Sequence, residues 1–178
     1  MNSVLEIENI ITPDTPGINH QLNNGWVLWL QINKGNQACC KFYTIAGFWA
    51  LCDVLKYKTS RFIIMREFVV PSWESQIHID GCYYVITLKY PFQDVYKIFL
   101  NCVMGLVGEN LFDKYDTCQI TGITYINDPQ LKQIRFWCKS EYPDFDDLST
   151  DYKKIFNKYR ITSDDACIVS FQNLKKKN

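Results

Sequence analysis

The segment Pro71-Ser72-Trp73-Glu74 places a flat aromatic ring next to a carboxylate. Such a pair can hold a purine, because the ring stacks on the base and does so more strongly when the base is positively charged. The carboxylate accepts hydrogen bonds from a ring N–H and an exocyclic NH₂, which guanine offers together and adenine does not. A Trp-Glu dipeptide alone is a weak signal, since most such pairs serve packing and solubility. The rest of the sequence therefore decides whether this is a site.

A second group with related chemistry lies in the strand-like run 132–139. Because successive side chains of a strand point to opposite faces, every second residue is expected on one face. That face carries Gln133, Arg135, Trp137 and Lys139. A strip of cations with an aromatic ring suits a phosphate next to a base, whereas the alternative is a solvated sheet face with an incidental tryptophan.

The composition predicts one folded domain without a general affinity for nucleic acid. The chain has 178 residues, of which 47% are hydrophobic and 15% aromatic, so it can form a substantial core. Its formal net charge is +0, and any basic site must therefore be local. We expect a partly ordered N-terminal arm over residues 1–18, a single domain over 19–172 and a basic tail over 173–178.

Motifs for metal binding, membrane insertion and catalysis are missing from the sequence. The eight cysteines include no Cys-x-x-Cys pair and the two histidines are far apart, so we expect no metal and interpret the cysteines as reduced, mostly buried thiols of an intracellular protein. No apolar run approaches the roughly 18 residues of a membrane span. No Gly-rich phosphate loop, carboxylate cluster or nucleophile–base motif occurs, so no catalytic residue, cofactor or enzyme activity is expected.

The elements that position these groups are predicted from hydrophobic periodicity. Helices are expected over 45–57, capped by Thr44, over 92–107, ended by Gly108, and from Asp144 to Tyr159. Strand-like runs occupy 25–32, 38–43, 62–69, 82–89, 119–126, 132–139 and 166–172. Many strands with hairpin-sized gaps favour an α+β fold, in which a curved antiparallel β-sheet carries three helices packed on its convex face.

The order of several short motifs is more specific than any one of them. In chain order they are His20-x-Leu22-x-Asn24-x-Trp26-x-Leu28-Trp29, Phe48-Trp49-Ala50-Leu51, Pro71-x-Trp73-Glu74, Ile86-Thr87-Leu88, Gly108-Glu109 and Trp137. This series resembles the eukaryotic translation initiation factor 4E family, whose members bind the 7-methylguanosine cap of messenger RNA. The resemblance extends over residues 20–172 in unbroken order.

The resemblance implies a cap-binding domain with its pocket on the concave side of the sheet. Trp73 matches one half of an aromatic sandwich around the methylated base, and Glu74 matches the acceptor for guanine N1 and N2. Trp137 matches the tryptophan that touches the N7-methyl group. The candidates for the cap phosphates are Arg135, Lys132 and Lys139.

The sequence departs from the family pattern at the second ring and at the phosphates. Residues 33–40, where the second tryptophan of the sandwich belongs, include no aromatic residue. The family arginine that contacts the phosphates aligns with Tyr125, and Tyr83 replaces another arginine, so Arg135 is the compensating candidate. We therefore expect the cap to stack on Trp73 with a non-homologous side chain, or nothing, opposite it.

The resemblance also implies a partner site on the helical side, which binds a short helix carrying a tyrosine and a leucine–hydrophobic pair. The matching positions are His20, Ile45, Trp49, Leu100, Gly108 and, in place of the usual acid, Asn101. Helical spacing alone is typical of a core position for Trp49, whereas the resemblance predicts partial exposure.

Two functions from different classes of activity follow from the resemblance. The first is a cytoplasmic, monomeric protein that binds capped mRNA and recruits it to a scaffold initiation factor of the 4G type, or that binds 4E-binding proteins. The alternative is an interaction protein or translational regulator, impaired in cap binding, that uses mainly the helical groove.

Overall fold

The computed structural model describes residues 5–6, 20–32, 35–58, 60–88, 95–109, 119–139 and 167–173. Its elements are β1 (Leu5–Glu6), β2 (Gln21–Ile32), β3 (Gly35–Thr44), α1 (Ile45–Lys58), β4 (Arg61–Arg66), β5 (Cys82–Leu88), α2 (Val95–Val107), β6 (Ile120–Asn127), β7 (Lys132–Cys138) and β8 (Cys167–Asn173). The predicted third helix after Asp144 and the C-terminal lysines lie outside the described residues.

The described strands form one sheet in the order β1-β3-β2-β4-β6-β7-β5-β8. Every pair from β2 to β8 is antiparallel, which confirms the predicted α+β fold. The exception is β1, which lies in the predicted N-terminal arm and pairs in parallel with β3. Parallel pairing requires a long connection, and β2 with the residues before it supplies one.

Side chains alternate between the two faces of the sheet. On one face Phe62, Tyr84 and Phe136 pack with Phe99 of α2 and Leu51 of α1 in the main hydrophobic core. On the other face a smaller cluster contains Ile63, Met65, Val69 and Trp137, with Trp29 and Tyr83 packed against it. The helices therefore cover one side, and the groups singled out in the sequence collect on the opposite side.

The two described helices are joined to the sheet and to each other by specific hydrogen bonds. The N–H of Gly47 donates to Oγ1 of Thr44 over 3.0 Å, which confirms Thr44 as the N-cap of α1. The hydroxyl of Tyr96 on α2 donates to the carbonyl of Cys52 on α1 over 2.5 Å. This bond joins α2 to α1.

Helix α2 ends at Val107, directly before Gly108 as predicted, but the left-handed residue that follows it is Glu109. Gly108 continues the helical hydrogen bonding, and Glu109 takes the left-handed conformation with φ 57°. That conformation costs about 1–2 kcal/mol for a residue with a Cβ. The carboxylate of Glu109 offsets this cost, because it accepts hydrogen bonds from Asn23 at 2.8 Å, Asn24, and Arg66 at 3.3 Å.

Strand β4 is shorter than predicted and gives way to the loop that carries Trp73. Phe68 adopts φ 66°, so the ladder expected to reach residue 69 stops at Arg66. Asn36 of β3 donates through Nδ2 to the carbonyl of Pro71 over 2.9 Å. The loop is therefore attached to the β2–β3 hairpin just before Trp73.

The structure describes the side chains of six cysteines, which are all free thiols, and five of them are buried. Burial raises the pKa of Cys40 to about 11 and that of Cys52 to about 12, so both stay protonated and unreactive at neutral pH. The described residues include no group of three or more side chains arranged to hold a metal ion. None of the helices in this part of the chain is long and apolar enough to cross a membrane.

His78 fixes the second half of the β4–β5 loop, the loop that carries Trp73. Its ring is fully buried, and its Nε2 lies 2.8 Å from Oγ1 of Thr121 on β6. Its Nδ1 lies 3.0 Å from Oγ of Ser75 and 3.1 Å from the carbonyl of Ser72. Burial, with a smaller contribution from Lys139, lowers the pKa of His78, so the folded protein favours the neutral ring.

We expect the free energy of unfolding to fall as the pH drops below about 6.5, the pKa of an unfolded histidine, because the unfolded chain then takes up a proton that buried His78 resists. His78→Gln should remove most of this dependence between pH 6.5 and 5. It should also cost about 1–3 kcal/mol at pH 7.5, since buried polar groups lose partners. Urea unfolding across this range measures both effects.

Two carboxylates with lowered pKa values do not obscure this test. The pKa values of Glu67 and Asp128 are lowered by hydrogen bonds from Tyr43 and Arg61, so both groups titrate below the histidine range. A variant with the same pH dependence as the wild type would show that another group titrates.

Candidate functional site

A cavity of about 250 Å³ opens on the sheet face opposite the helices. Its lining residues come from the β2–β3 hairpin, β4, the β4–β5 loop, β5, β6 and β7. Three predicted cap-site residues, Trp73, Arg135 and Trp137, line it together. The volume lies somewhat below the roughly 300–1,000 Å³ of typical ligand pockets, so it suits one base with the rest of a nucleotide at the rim.

Trp137 forms a fixed aromatic wall of the cavity. Its side chain is 5% exposed, and its indole N–H donates to Oγ1 of Thr124 over 2.8 Å. The ring of Tyr83 meets it edge-on, with centroids 4.6 Å apart at 87°. Burial raises the pKa of Tyr83, so its hydroxyl remains neutral. These contacts orient the indole before any ligand arrives.

Trp73 lies at the rim of the cavity and is 40% exposed. A ring in this position offers a face to a base entering from solvent. Glu74 follows it and is exposed, with its backbone N–H hydrogen-bonded to Oγ of Ser72 over 3.2 Å. The Glu74 side chain does not line the cavity, and no described residue pairs with its carboxylate.

The described part of the β2–β3 hairpin contributes two amide side chains to the cavity, those of Gln31 and Asn36. Neither is aromatic, in keeping with the missing second tryptophan. Residues 33–34 at the tip of the hairpin lie outside the described residues. The stacking surface that the structure does show is therefore the single rim tryptophan.

Arg135 is held by neutral partners. Its Nε and Nη2 both donate to Oε1 of Gln133, over 2.9 and 2.7 Å, and Gln133 in turn donates to Thr87. Burial lowers the pKa of Arg135, yet a guanidinium stays protonated at neutral pH. Among the described residues no carboxylate forms an ion pair with it, so its charge is available to an anion.

Arg61 is the site residue that the sequence interpretation missed. It is the first residue of β4, lines the cavity, and forms an ion pair with Asp128 of the β6–β7 turn. The predicted strand began at residue 62 and so left Arg61 outside. Starting the strand one residue earlier, at 61, would have placed Arg61 on the same face as Ile63, which is the cavity face.

Three other candidates lie away from the cavity. By the alternation of β7, Lys132 belongs to the face that the helices cover. Lys139 is exposed just beyond the end of β7 and is close enough to His78 to affect the pKa of its ring. Neither lysine lines the cavity. Tyr125 packs in the helix-side core, with its ring 4.8 Å from Phe62 and 30° from parallel. Its alignment with a phosphate-binding arginine was therefore wrong, because it lies on the opposite face.

The predicted partner positions lie on the helix side. The carbonyl of His20 accepts from the N–H of Ile45 over 3.0 Å, which places the start of β2 next to the start of α1. Ile45 is 38% and Trp49 42% exposed, so Trp49 is not a core residue. On α2, Leu100 and Asn101 are partly buried, and Gly108 at its end is exposed.

Known proteins are similar to this chain in sequence or in fold. An uncharacterised protein of Acanthamoeba polyphaga mimivirus, L529, is 30% identical over 173 residues, which cover 97% of each chain. The structure of Ascaris suum eIF4E-3 with m2,2,7G cap matches with a TM-score of 0.71 at 17% identity, covering 90% of this chain and 94% of that one.

A further solved structure, schistosome eIF4E complexed with m7GpppG and 4E-BP, matches with a TM-score of 0.69 at 20% identity, covering 86% of this chain and 88% of that one. The sequence model described as Eukaryotic initiation factor 4E matches residues 21–177. This range includes both described helices and every described strand except β1. This chain therefore belongs to the eukaryotic initiation factor 4E family.

Proposed function

We propose that this protein binds the 7-methylguanosine cap of messenger RNA in the cavity opposite its helices. The observation that carries the proposal is the convergence of Trp73, Trp137 and Arg135 on one cavity. An exposed ring, a fixed aromatic wall and a cation that pairs with no carboxylate among the described residues match the base and the phosphates of a cap. Cap ligands in the Ascaris and schistosome structures support the same assignment.

Base recognition in this proposal rests on Trp73 and Glu74. N7-methylation gives guanine a positive charge, which strengthens its attraction to an indole face. The Glu74 carboxylate accepts from the guanine N1–H and exocyclic NH₂ once its exposed side chain turns toward the bound base, a rotamer change that is common on binding. Methylated guanine is therefore preferred over both GTP and adenine nucleotides.

The missing second ring sets the strength of this binding. One base–aromatic stack is worth about 1–3 kcal/mol, which corresponds to roughly 5- to 150-fold in affinity. A site with Gln31 and Asn36 in place of the second ring is weaker by about that factor, but the stack on Trp73 and the phosphate contacts remain.

The helix side is proposed as the site of a scaffold initiation factor of the 4G type or a 4E-binding protein. Ile45 and Trp49 lie one turn apart on α1, so their exposed side chains are neighbours on one helix face. Exposed tryptophans are frequent anchors for amphipathic helices that dock in apolar grooves. The schistosome complex with 4E-BP supports this use of the fold.

An interaction protein with little cap affinity is the competing function, and the amide-lined hairpin is the observation that favours it. The two functions differ in one measurement. Tryptophan-fluorescence titration with 7-methyl-GTP and with GTP shows saturable, methyl-selective quenching for a cap-binding protein. Equal weak quenching by both nucleotides would favour the interaction protein.

Trp73→Ala should lower the affinity for 7-methyl-GTP by about 5- to 150-fold, because the exposed stacking surface that the described rim provides is lost. Isothermal titration calorimetry measures this independently of the fluorescence change that the substitution itself causes. Phe68→Ala is the matched control, since Phe68 is an exposed aromatic residue of the same loop that does not line the cavity. Wild-type affinity in Trp73→Ala would contradict the stacking role.

Trp49→Ala should weaken binding of a 4G-type scaffold peptide by about 30-fold or more, the effect of losing a hot-spot residue worth about 2 kcal/mol. Val54→Ala provides a control on the same helix, because Val54 is 50% exposed but points away from the Ile45–Trp49 face. Fluorescence anisotropy of a labelled peptide gives both affinities. Equal losses in the two variants would place the partner elsewhere.

A further inference from the structure

The charge around the cavity is one-sided. Its described lining includes two cations, Arg61 and Arg135, and no acidic residue, although the chain as a whole has a formal net charge of +0. The two guanidiniums are close enough for Arg61 to lower the pKa of Arg135, an effect that adds to that of burial. Asp128 partly neutralises Arg61, whereas Arg135 pairs with no carboxylate among the described residues, so an anion placed between the two guanidiniums would be attracted mainly by Arg135 and further stabilised by Arg61.

The sheet register explains how the two arginines meet. Arg61 of β4 is opposite Ile126 of β6, and Arg135 of β7 is opposite Thr124 of β6. One strand therefore lies between them, which corresponds to about 10 Å across the sheet, and their positions differ by a further two residues, or about 7 Å, along it. Both side chains lie on the cavity face, and both are long enough to approach one group over the intervening Ile126 and Thr124.

Asp128 restricts where the Arg61 guanidinium lies. The Asp128 carboxylate contacts Nε and Nη2 of Arg61, and its own backbone N–H donates to the carbonyl of Leu131 within the β6–β7 turn. A long arginine side chain otherwise loses much conformational freedom when it binds a ligand. Since a guanidinium can contact an ion-pair partner and a ligand along different edges, the turn holds Arg61 over the cavity in advance.

We propose that Arg61, oriented by Asp128, acts with Arg135 as the subsite for the phosphate chain of the cap, and that Arg61 determines the preference for phosphorylated over unphosphorylated ligands. This inference rests on the function proposed above. Under this inference Arg61, the first residue of β4, contacts the phosphates in place of Lys132 and Lys139.

Calorimetric titration of wild type and Arg61→Gln with 7-methyl-GTP and with 7-methylguanosine tests the inference. We expect Arg61→Gln to bind 7-methyl-GTP about 10-fold or more weakly, as for the loss of a charge-assisted hydrogen bond, and to bind the nucleoside as the wild type does. Its affinity for 7-methyl-GTP should also fall less steeply with added salt. Arg61→Lys, which keeps the charge but not the planar fork, should give an intermediate loss.

Lys97→Gln is the matched control, because it removes one positive charge from an exposed position on α2, on the other side of the sheet. Equal weakening of 7-methyl-GTP binding in Lys97→Gln and Arg61→Gln would overturn the inference, since only net charge would then matter. Weakening of nucleoside binding to the same extent as nucleotide binding would also overturn it.

Titration with GTP and inorganic triphosphate separates this inference from the cap-binding proposal. A wild type that binds both without preferring the methylated base, and loses both in Arg61→Gln, would contradict cap recognition but support the phosphate subsite. Methyl-selective binding that is unchanged in Arg61→Gln would leave cap recognition in place and overturn the subsite.

Discussion

The two-residue alternation of side chains along the central strands is the constraint on which both surfaces of this protein depend. Because α1 and α2 need one apolar face to pack against, Phe62, Tyr125 and Phe136 must all point toward them. The residues that alternate with them along each strand are then forced onto the opposite face, where the cavity forms. A shift of one residue in the register of β4 or β7 would exchange the two sets, bury arginines under the helices and remove the cavity.

The cavity is organised before a ligand binds. Trp137 is held by Thr124 and Tyr83, while the loop that carries Trp73 is attached on one side through Asn36 and on the other through His78. Binding then requires little ordering of side chains or loops, which limits the entropy lost on association. Such preorganisation matters here because the described hairpin supplies amides where a second ring would add binding energy.

The sequence predicted most of the local structure but less of what depends on distant contacts. Helix α1 and strand β7 matched their predicted ranges within one residue, since their periodicity is local. The left-handed residue at the end of α2 is Glu109 and not Gly108, because bonds from β2 and β4 stabilise it. The Arg61–Asp128 pair joins residues far apart in sequence, and a strand boundary misplaced by one residue hid it. No periodicity within residues 1–18 indicates the parallel pairing of β1.

The position of β5 between β7 and β8 has a consequence for biosynthesis. One edge of β5 pairs with β7, but the other waits for β8, whose last residue lies 35 residues after the end of β7. At about 5–20 residues per second, translation leaves that edge without its partner for about 2–7 s. Unpaired strand edges are templates for aggregation. During that interval the nascent chain is open to aggregation along the strand that carries Tyr83 into the cavity.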